Sequence, residues 1–85
     1  MITVYTTRNC SYCRRIKAFL EAHQLDFTEV DLGDDLDGRI ELTRRTGLMT
    51  FPQIFRDGEF LGDCMETQEL LLGELAEEAE DVWVI

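Results

Sequence analysis

The sequence is short of the features that define several classes of protein. Its 85 residues include one proline, one histidine, one tryptophan and three cysteines, and no lysine or arginine follows position 56. An odd number of cysteines argues against a secreted disulfide scaffold. No apolar run approaches membrane-spanning length, and no basic segment followed by an apolar stretch opens the sequence. We therefore expect a cytoplasmic globular protein without a membrane partner, with one domain over residues 1–85.

Acidic charge is concentrated at one end of the chain. Residues 1–56 contain eight acidic and eight basic residues, whereas residues 57–85 contain ten acidic residues and no basic one. The net charge of −10 therefore lies entirely in the last third. Such a surface repels phosphate backbones, so we expect no nucleic-acid partner. We interpret the acidic residues as a solvated helix face rather than as a docking patch for a basic partner.

Residue patterns in the first half predict a strand, a helix, a strand and a helix. The run at 2–6 is β-branched and aromatic, the run at 26–30 alternates, and apolar residues at a 3.6-residue period favour a helix over about 11–23. Asp34 as an N-cap and Gly47 as a C′ residue bound the second helix.

The second half adds a hairpin and a last helix. Asp57-Gly58 is the strongest short hairpin signal. Asp63 and Glu66 resemble a capping box for a helix that ends near Asp81, and we expect the apolar tail Val82–Ile85 to pack on the body. The order β-α-β-α-β-β-α predicts an α/β fold in which a mixed four-stranded sheet has helices on both faces.

A C-x-x-C pair stands where the first strand gives way to the first helix. Cys10 would precede the first helical turn, where free N–H groups and the helix dipole favour an anion. Arg8, Arg14 and Arg15 add positive potential, and these conditions lower the pKa of a thiol. We therefore assign Cys10 as the nucleophile and Cys13 as the resolving thiol of a disulfide exchange.

Half of a zinc site is the alternative explanation of a C-x-x-C pair. Zinc needs four ligands, and only Cys64 and His23 remain to complete the set. His23 is better explained as a histidine at a helix C-terminus, where it meets the negative end of the dipole. We therefore predict no metal site.

Three segments together resemble the glutaredoxin family, whose members have a thioredoxin-like fold. They are Tyr5-Thr6 followed by Cys10–Cys13, the stretch Thr50–Phe55, and Gly62-Asp63-Cys64. The resemblance covers nearly the whole chain. It implies thiol–disulfide exchange, with glutathione as the reductant and co-substrate and with disulfide-containing proteins, such as ribonucleotide reductase, as partners of a monomer.

The resemblance also implies how glutathione would be held. Pro52 would be cis and face the cysteines, and the backbone of Phe51 would pair with the glutathione chain. Tyr12 would flank the reacting sulfur as an aromatic wall; its alternative is plain surface exposure.

Charged groups of glutathione would need receptors beside the cysteines. The candidate cations are Arg8, Arg44 and Arg45, although Arg8 also fits a solvated side chain and the other two fit a helix C-terminus. The N–H groups of Cys64 and Met65 open the last helix and suit a carboxylate. The Cys64 thiol is interpreted as a small buried hydrophobe, with regulatory glutathionylation as the alternative.

Four positions depart from the family pattern. Thr7 replaces a common lysine, Asp63 replaces a glycine and Met65 replaces an aspartate, so affinity for glutathione is in doubt and a thioredoxin-reductase-type flavoenzyme is an alternative reductant. Ser11 replaces the proline between the cysteines. Relatives without that proline sometimes hold a glutathione-ligated [2Fe–2S] cluster between two subunits, which is the second alternative.

Overall fold

The structure is a computed structural model that describes the backbone of residues 1–83 and the side chains of residues 1–75. The predicted element order is confirmed. Its elements are β1 (Ile2–Thr6), α1 (Ser11–Ala22), β2 (Phe27–Asp31), α2 (Leu36–Thr46), β3 (Gln53–Arg56), β4 (Glu59–Gly62) and α3 (Cys64–Trp83). The predicted packing of Val82–Ile85 lies outside the described side chains.

The four strands form one mixed sheet in the order β2-β1-β3-β4. β1 runs parallel to β2, as expected for strands joined through a helix, and Val4 lies opposite Glu29. β3 is antiparallel to β1, with Ile54 opposite Val4, and β4 completes the hairpin. The short hairpin loop is possible because Asp57 and Gly58 both adopt positive φ, at 52° and 83°.

Each face of the sheet buries its own apolar cluster. Alternate residues of β1 point to opposite faces, so Val4, which is fully buried, packs with α1 and α3 while Tyr5 points toward α2. The first cluster contains Ile2, Val4, Ile16, Leu20, Ile54, Cys64 and Leu71. The second contains Leu32, Leu42 and Phe55. Two helices therefore cover one face, and α2 covers the other.

The N-cap of α2 is Asp35, and the prediction of Asp34 is wrong by one residue. Asp35 accepts a hydrogen bond from the Gly38 N–H at 2.8 Å. A turn precedes it, because the Asp35 N–H donates to the Leu32 carbonyl at 3.2 Å, and this turn delays the helix. Asp34 instead pairs with Arg8. The predicted end is confirmed, since Gly47 closes α2 with a φ of 76°.

The last helix begins with the predicted cap and is tied to the sheet. The Glu66 N–H donates to Asp63 Oδ1 at 2.9 Å. Farther along, Arg56 of β3 forms a bidentate pair with Glu74 at 2.7 and 2.8 Å. Hydrogen bonding by Arg56 lowers the pKa of the Glu74 carboxyl. Among the described residues, no helix combines the length and apolarity that crossing a membrane requires.

Replacing Asp35 with alanine should destabilise the fold more than replacing Asp34. Asp35→Ala removes the side-chain acceptor of a helix N-cap, which typically costs about 1 kcal/mol. Asp34→Ala removes only an exposed ion pair, which contributes less. Urea unfolding of both variants measures the difference, and equal or reversed losses would contradict the assignment of the cap.

Candidate active site

Cys10 is the N-cap of α1. Its backbone is extended, with φ −104° and ψ 104°, and its sulfur accepts a hydrogen bond from the Cys13 N–H at 3.1 Å. Asn9, directly before it, has a φ of 53°, a left-handed conformation that asparagine tolerates better than most residues. This turn lets the chain pass from β1 into α1 within a few residues, so the sulfur meets the first free N–H groups of the helix.

Cys10 and Cys13 form a disulfide, and their Cα atoms are 5.2 Å apart. The two cysteines differ in exposure. Cys13 lies inside the first turn and is 3 % exposed, whereas Cys10 is half-buried. Cys10 is therefore the more accessible of the two cysteines, and their roles as nucleophile and resolving thiol stay predictions.

A groove of about 390 Å³ opens beside the cysteine motif, and it is called the Tyr12 groove below. The first turn of α1, the loop before β3 and the start of α3 meet there. The lining residues are Tyr12, Thr50, Phe51, Pro52, Asp63, Cys64 and Met65. The Phe51–Pro52 peptide bond is cis, as the resemblance implies. Five of the predicted glutathione residues are thus brought together: Tyr12, Phe51, Pro52, Cys64 and Met65.

Gln53 fixes the loop that precedes β3. Its side chain is 1 % exposed, and its amide nitrogen donates to the carbonyls of Leu48 and Thr50 at 2.9 and 3.0 Å. A buried amide with two backbone acceptors holds the segment between α2 and Pro52 in one conformation. The sequence analysis did not single out Gln53 for this role.

The three predicted cations do not line the Tyr12 groove. Arg8 pairs with Asp34. The Arg45 guanidinium lies over the Phe55 ring, 5.0 Å from its centroid. Arg44 lines a different groove, along α2. Their roles in binding glutathione stay predictions, and their positions in the fold do not favour them.

Arg39 is the cation that the sequence analysis missed. It donates to Thr7 Oγ1 at 2.8 Å, and its guanidinium lies 5.7 Å from the centroid of the Phe51 ring. Arg39 Nε is buried and has no hydrogen-bond partner within the described part of the chain. The spacing of Arg39 and Thr43 at i and i+4 places both on one helix face, but no sequence signal places that face beside Thr7 and Phe51.

Cys64 lines the Tyr12 groove yet is only 2 % exposed. Burial raises the pKa of its thiol, although the charge of Arg15 opposes the shift. The sulfur also accepts a hydrogen bond from Gln68 at 3.5 Å. Burial thus disfavours the Cys64 thiolate more than Arg15 favours it, which fits the interpretation of a small buried hydrophobe.

A disulfide at the N-terminus of a helix, with a cis-proline loop at the adjoining groove, defines a thiol–disulfide oxidoreductase of thioredoxin-like fold. Comparison with known proteins narrows the class. The glutaredoxin family model matches residues 2–61. Glutaredoxin 3 of Escherichia coli is 36 % identical over 63 residues, which cover 74 % of this chain and 76 % of that protein. The chain therefore belongs to the glutaredoxin family.

Solved structures agree with this assignment. The glutaredoxin of Brucella melitensis has a TM-score of 0.75 at 32 % identity, covering 92 % of this chain and 85 % of that one. A buckwheat glutaredoxin–glutathione complex has a TM-score of 0.77 at 25 % identity, covering 99 % of this chain and 80 % of that one. The predicted thioredoxin-like, glutaredoxin-type fold is confirmed.

In the reduced protein, Cys64 should react with iodoacetamide more slowly than Cys10 at neutral pH. The reason is that Cys64 is buried and its pKa is raised, whereas Cys10 lies at a helix N-terminus. Mass spectrometry of timed, quenched samples gives the order of labelling. A denatured sample, in which the three thiols should react alike, serves as the control; faster labelling of Cys64 in the folded protein would contradict this account.

Proposed function

We propose that the protein reduces protein disulfides and glutathione mixed disulfides through Cys10 and Cys13, and that glutathione resets the pair. The observation that carries the proposal is the Cys13 N–H donating to the Cys10 sulfur at the start of α1. A helix N-terminus stabilises a sulfur anion, which makes Cys10 a good leaving group as well as an available nucleophile.

The exchange proceeds through a mixed disulfide. The Cys10 thiolate attacks one sulfur of the substrate disulfide, an S–S bond forms to Cys10, and the other sulfur leaves as a thiolate that takes a proton from water. The Cys13 thiolate then attacks the Cys10 sulfur, forms the internal disulfide and releases the second substrate thiol. Two glutathione molecules reduce the Cys10–Cys13 disulfide and leave as glutathione disulfide, so two electrons pass to the substrate.

The Tyr12 groove is the proposed binding site of glutathione. The Phe51 backbone borders it and suits pairing with an extended chain. Cys64 and Met65 open α3, whose first N–H groups suit the α-carboxylate of the glutamyl residue. The similar structure of a buckwheat glutaredoxin–glutathione complex supports glutathione as the ligand.

Arg39 is the proposed receptor for the glycyl carboxylate of glutathione. It lies beside Phe51, on the α2 side, whereas Cys64 and Met65 open α3. A chain that starts at the N-terminus of α3 and passes along Phe51 would end at this guanidinium. The hydrogen bond to Thr7 and the packing on Phe51 hold the guanidinium in place, so less side-chain entropy is lost on binding.

Replacing Cys10 with serine should abolish turnover of the mixed disulfide between glutathione and 2-mercaptoethanol. Cys13→Ser should retain turnover of this substrate, because glutathione can itself release the Cys10 adduct. The assay couples glutathione disulfide formation to NADPH oxidation by glutathione reductase. Retained activity in Cys10→Ser would remove that residue from its role.

Arg39→Gln should raise the KM for the same substrate by about ten- to a hundredfold and change kcat little. It removes a charge-assisted hydrogen bond to a carboxylate, a contact worth about 1.5–3 kcal/mol. Arg45→Gln, on the same helix, provides the comparison, because its guanidinium lies over Phe55 instead. A larger rise of KM in Arg45→Gln would favour the prediction made from the sequence.

Glutathione reductase and thioredoxin reductase should be compared side by side as the source of electrons. Two carboxylates at the groove, Asp63 and the nearby Glu66, oppose the negative charge of glutathione, which keeps the flavoenzyme as the second candidate. We expect faster turnover with glutathione and glutathione reductase. Faster direct reduction by thioredoxin reductase would identify that flavoenzyme as the reductant instead of glutathione. Because either reductant maintains a reducing cytoplasm, we propose a cytoplasmic location, and ribonucleotide reductase stays a predicted partner.

A further inference from the structure

A second groove of about 390 Å³ lies along α2, and it is called the α2 groove below. Its lining residues are Leu36, Arg39, Ile40, Thr43, Arg44, Met49 and Phe51. Three of these are large apolar side chains left in solvent: Leu36 is 66 % exposed, Ile40 46 % and Met49 81 %. Apolar side chains gathered at one concave site mark an interaction surface better than the same residues scattered singly.

The α2 groove adjoins the Tyr12 groove at Phe51. Phe51 lines both, and Arg39 contacts its ring from the α2 side. Glutathione, as placed above, ends in a carboxylate at Arg39 and has no side chain that would enter the α2 groove. A polypeptide bound in the same direction would have further residues there, beyond its disulfide cysteine.

Charge at the α2 groove favours an acidic partner. Arg39 and Arg44 contribute two cations, and no carboxylate is among the described residues that line it. Glu41 of the same helix lies elsewhere, where it lines a separate hollow together with Arg45. The groove is therefore a cationic and apolar surface on a protein whose net charge is −10.

We propose that the α2 groove binds the segment of a polypeptide substrate that follows its disulfide cysteine, taking one large apolar side chain against Ile40 and Met49 and a neighbouring carboxylate at Arg44. This inference rests on the proposed function, because the cysteine of that substrate must react at Cys10. Ile40, Met49 and Arg44 would make the protein selective among protein disulfides and would leave the turnover of small glutathione mixed disulfides unaffected.

Peptide disulfides test the proposal directly. The probes are symmetrical disulfides of acetyl-Ala-Cys-Gly-Leu-Glu-amide, of a peptide with glycine for leucine, and of a peptide with lysine for glutamate. We expect kcat/KM to be about tenfold higher for the first probe than for the second, which is the lower range for filling an apolar pocket. The lysine probe should also be slower, and Arg44→Glu should reverse the preference between glutamate and lysine.

The double variant Ile40→Gln/Met49→Gln should lose the preference for leucine and keep its rate on the mixed disulfide of glutathione and 2-mercaptoethanol. Both side chains are exposed, so the fold should tolerate the change. Leu72→Gln is the matched control, since Leu72 is 47 % exposed on α3, outside either groove, and this variant should retain the preference.

Three results would overturn the proposal. One is equal turnover of the leucine and glycine probes by the unaltered protein. Another is a double variant that retains the preference. The third is a dimer in sedimentation experiments that the double variant dissociates, which would identify the groove as an interface between copies. No turnover of the small mixed disulfide by the unaltered protein would instead contradict the proposed function, so the two failures are distinguishable.

Discussion

The chemistry of the cysteine pair depends on one hydrogen bond, from the Cys13 N–H to the sulfur of Cys10. It makes a redox side chain serve as the cap of a helix, a role that serine or aspartate fills elsewhere. When the cap sulfur becomes an anion, this hydrogen bond becomes stronger. The thiolate of the reduced protein is therefore more stable than that of an isolated thiol. The same stabilisation makes the sulfur less nucleophilic, which leaves ease of departure from a mixed disulfide as the main chemical benefit.

The topology of the fold brings three loops together beside this hydrogen bond, at one end of the sheet. Parallel pairing of β1 and β2 requires α1 as the crossover, so the start of α1 lies directly beyond the end of β1. β3 runs antiparallel to β1, which brings Pro52, at its start, to that same end. The β3–β4 hairpin returns the chain so that α3 begins there as well. Tyr12, Phe51 and Met65 therefore share one groove although they are distant in sequence.

The sequence predicted the elements well because each has a local cause, such as the β-branched and aromatic residues of β1, the left-handed Gly47 or the Asp63 cap. It placed Asp34 at a cap that belongs to Asp35, because two adjacent aspartates are chemically equivalent and a preceding turn chooses between them. The arginines were harder still. Tertiary contacts decide where the guanidinium of a long arginine side chain lies. Neither the contact of Arg39 with Thr7 nor that of Arg45 with Phe55 follows from the local sequence.

The two grooves that meet at Phe51 differ in the charge of the residues around them. On the α3 side, Asp63 and Glu66 stand beside the N–H groups proposed for a carboxylate, so their charge offsets part of what the helix dipole contributes. On the α2 side, Arg39 and Arg44 meet exposed apolar side chains without an opposing lining carboxylate among the described residues. A ligand confined to the first side gains less than a longer chain that also reaches the second. In the proposed binding mode, a tripeptide would end at Arg39, just beyond Phe51, whereas a protein substrate would continue along α2.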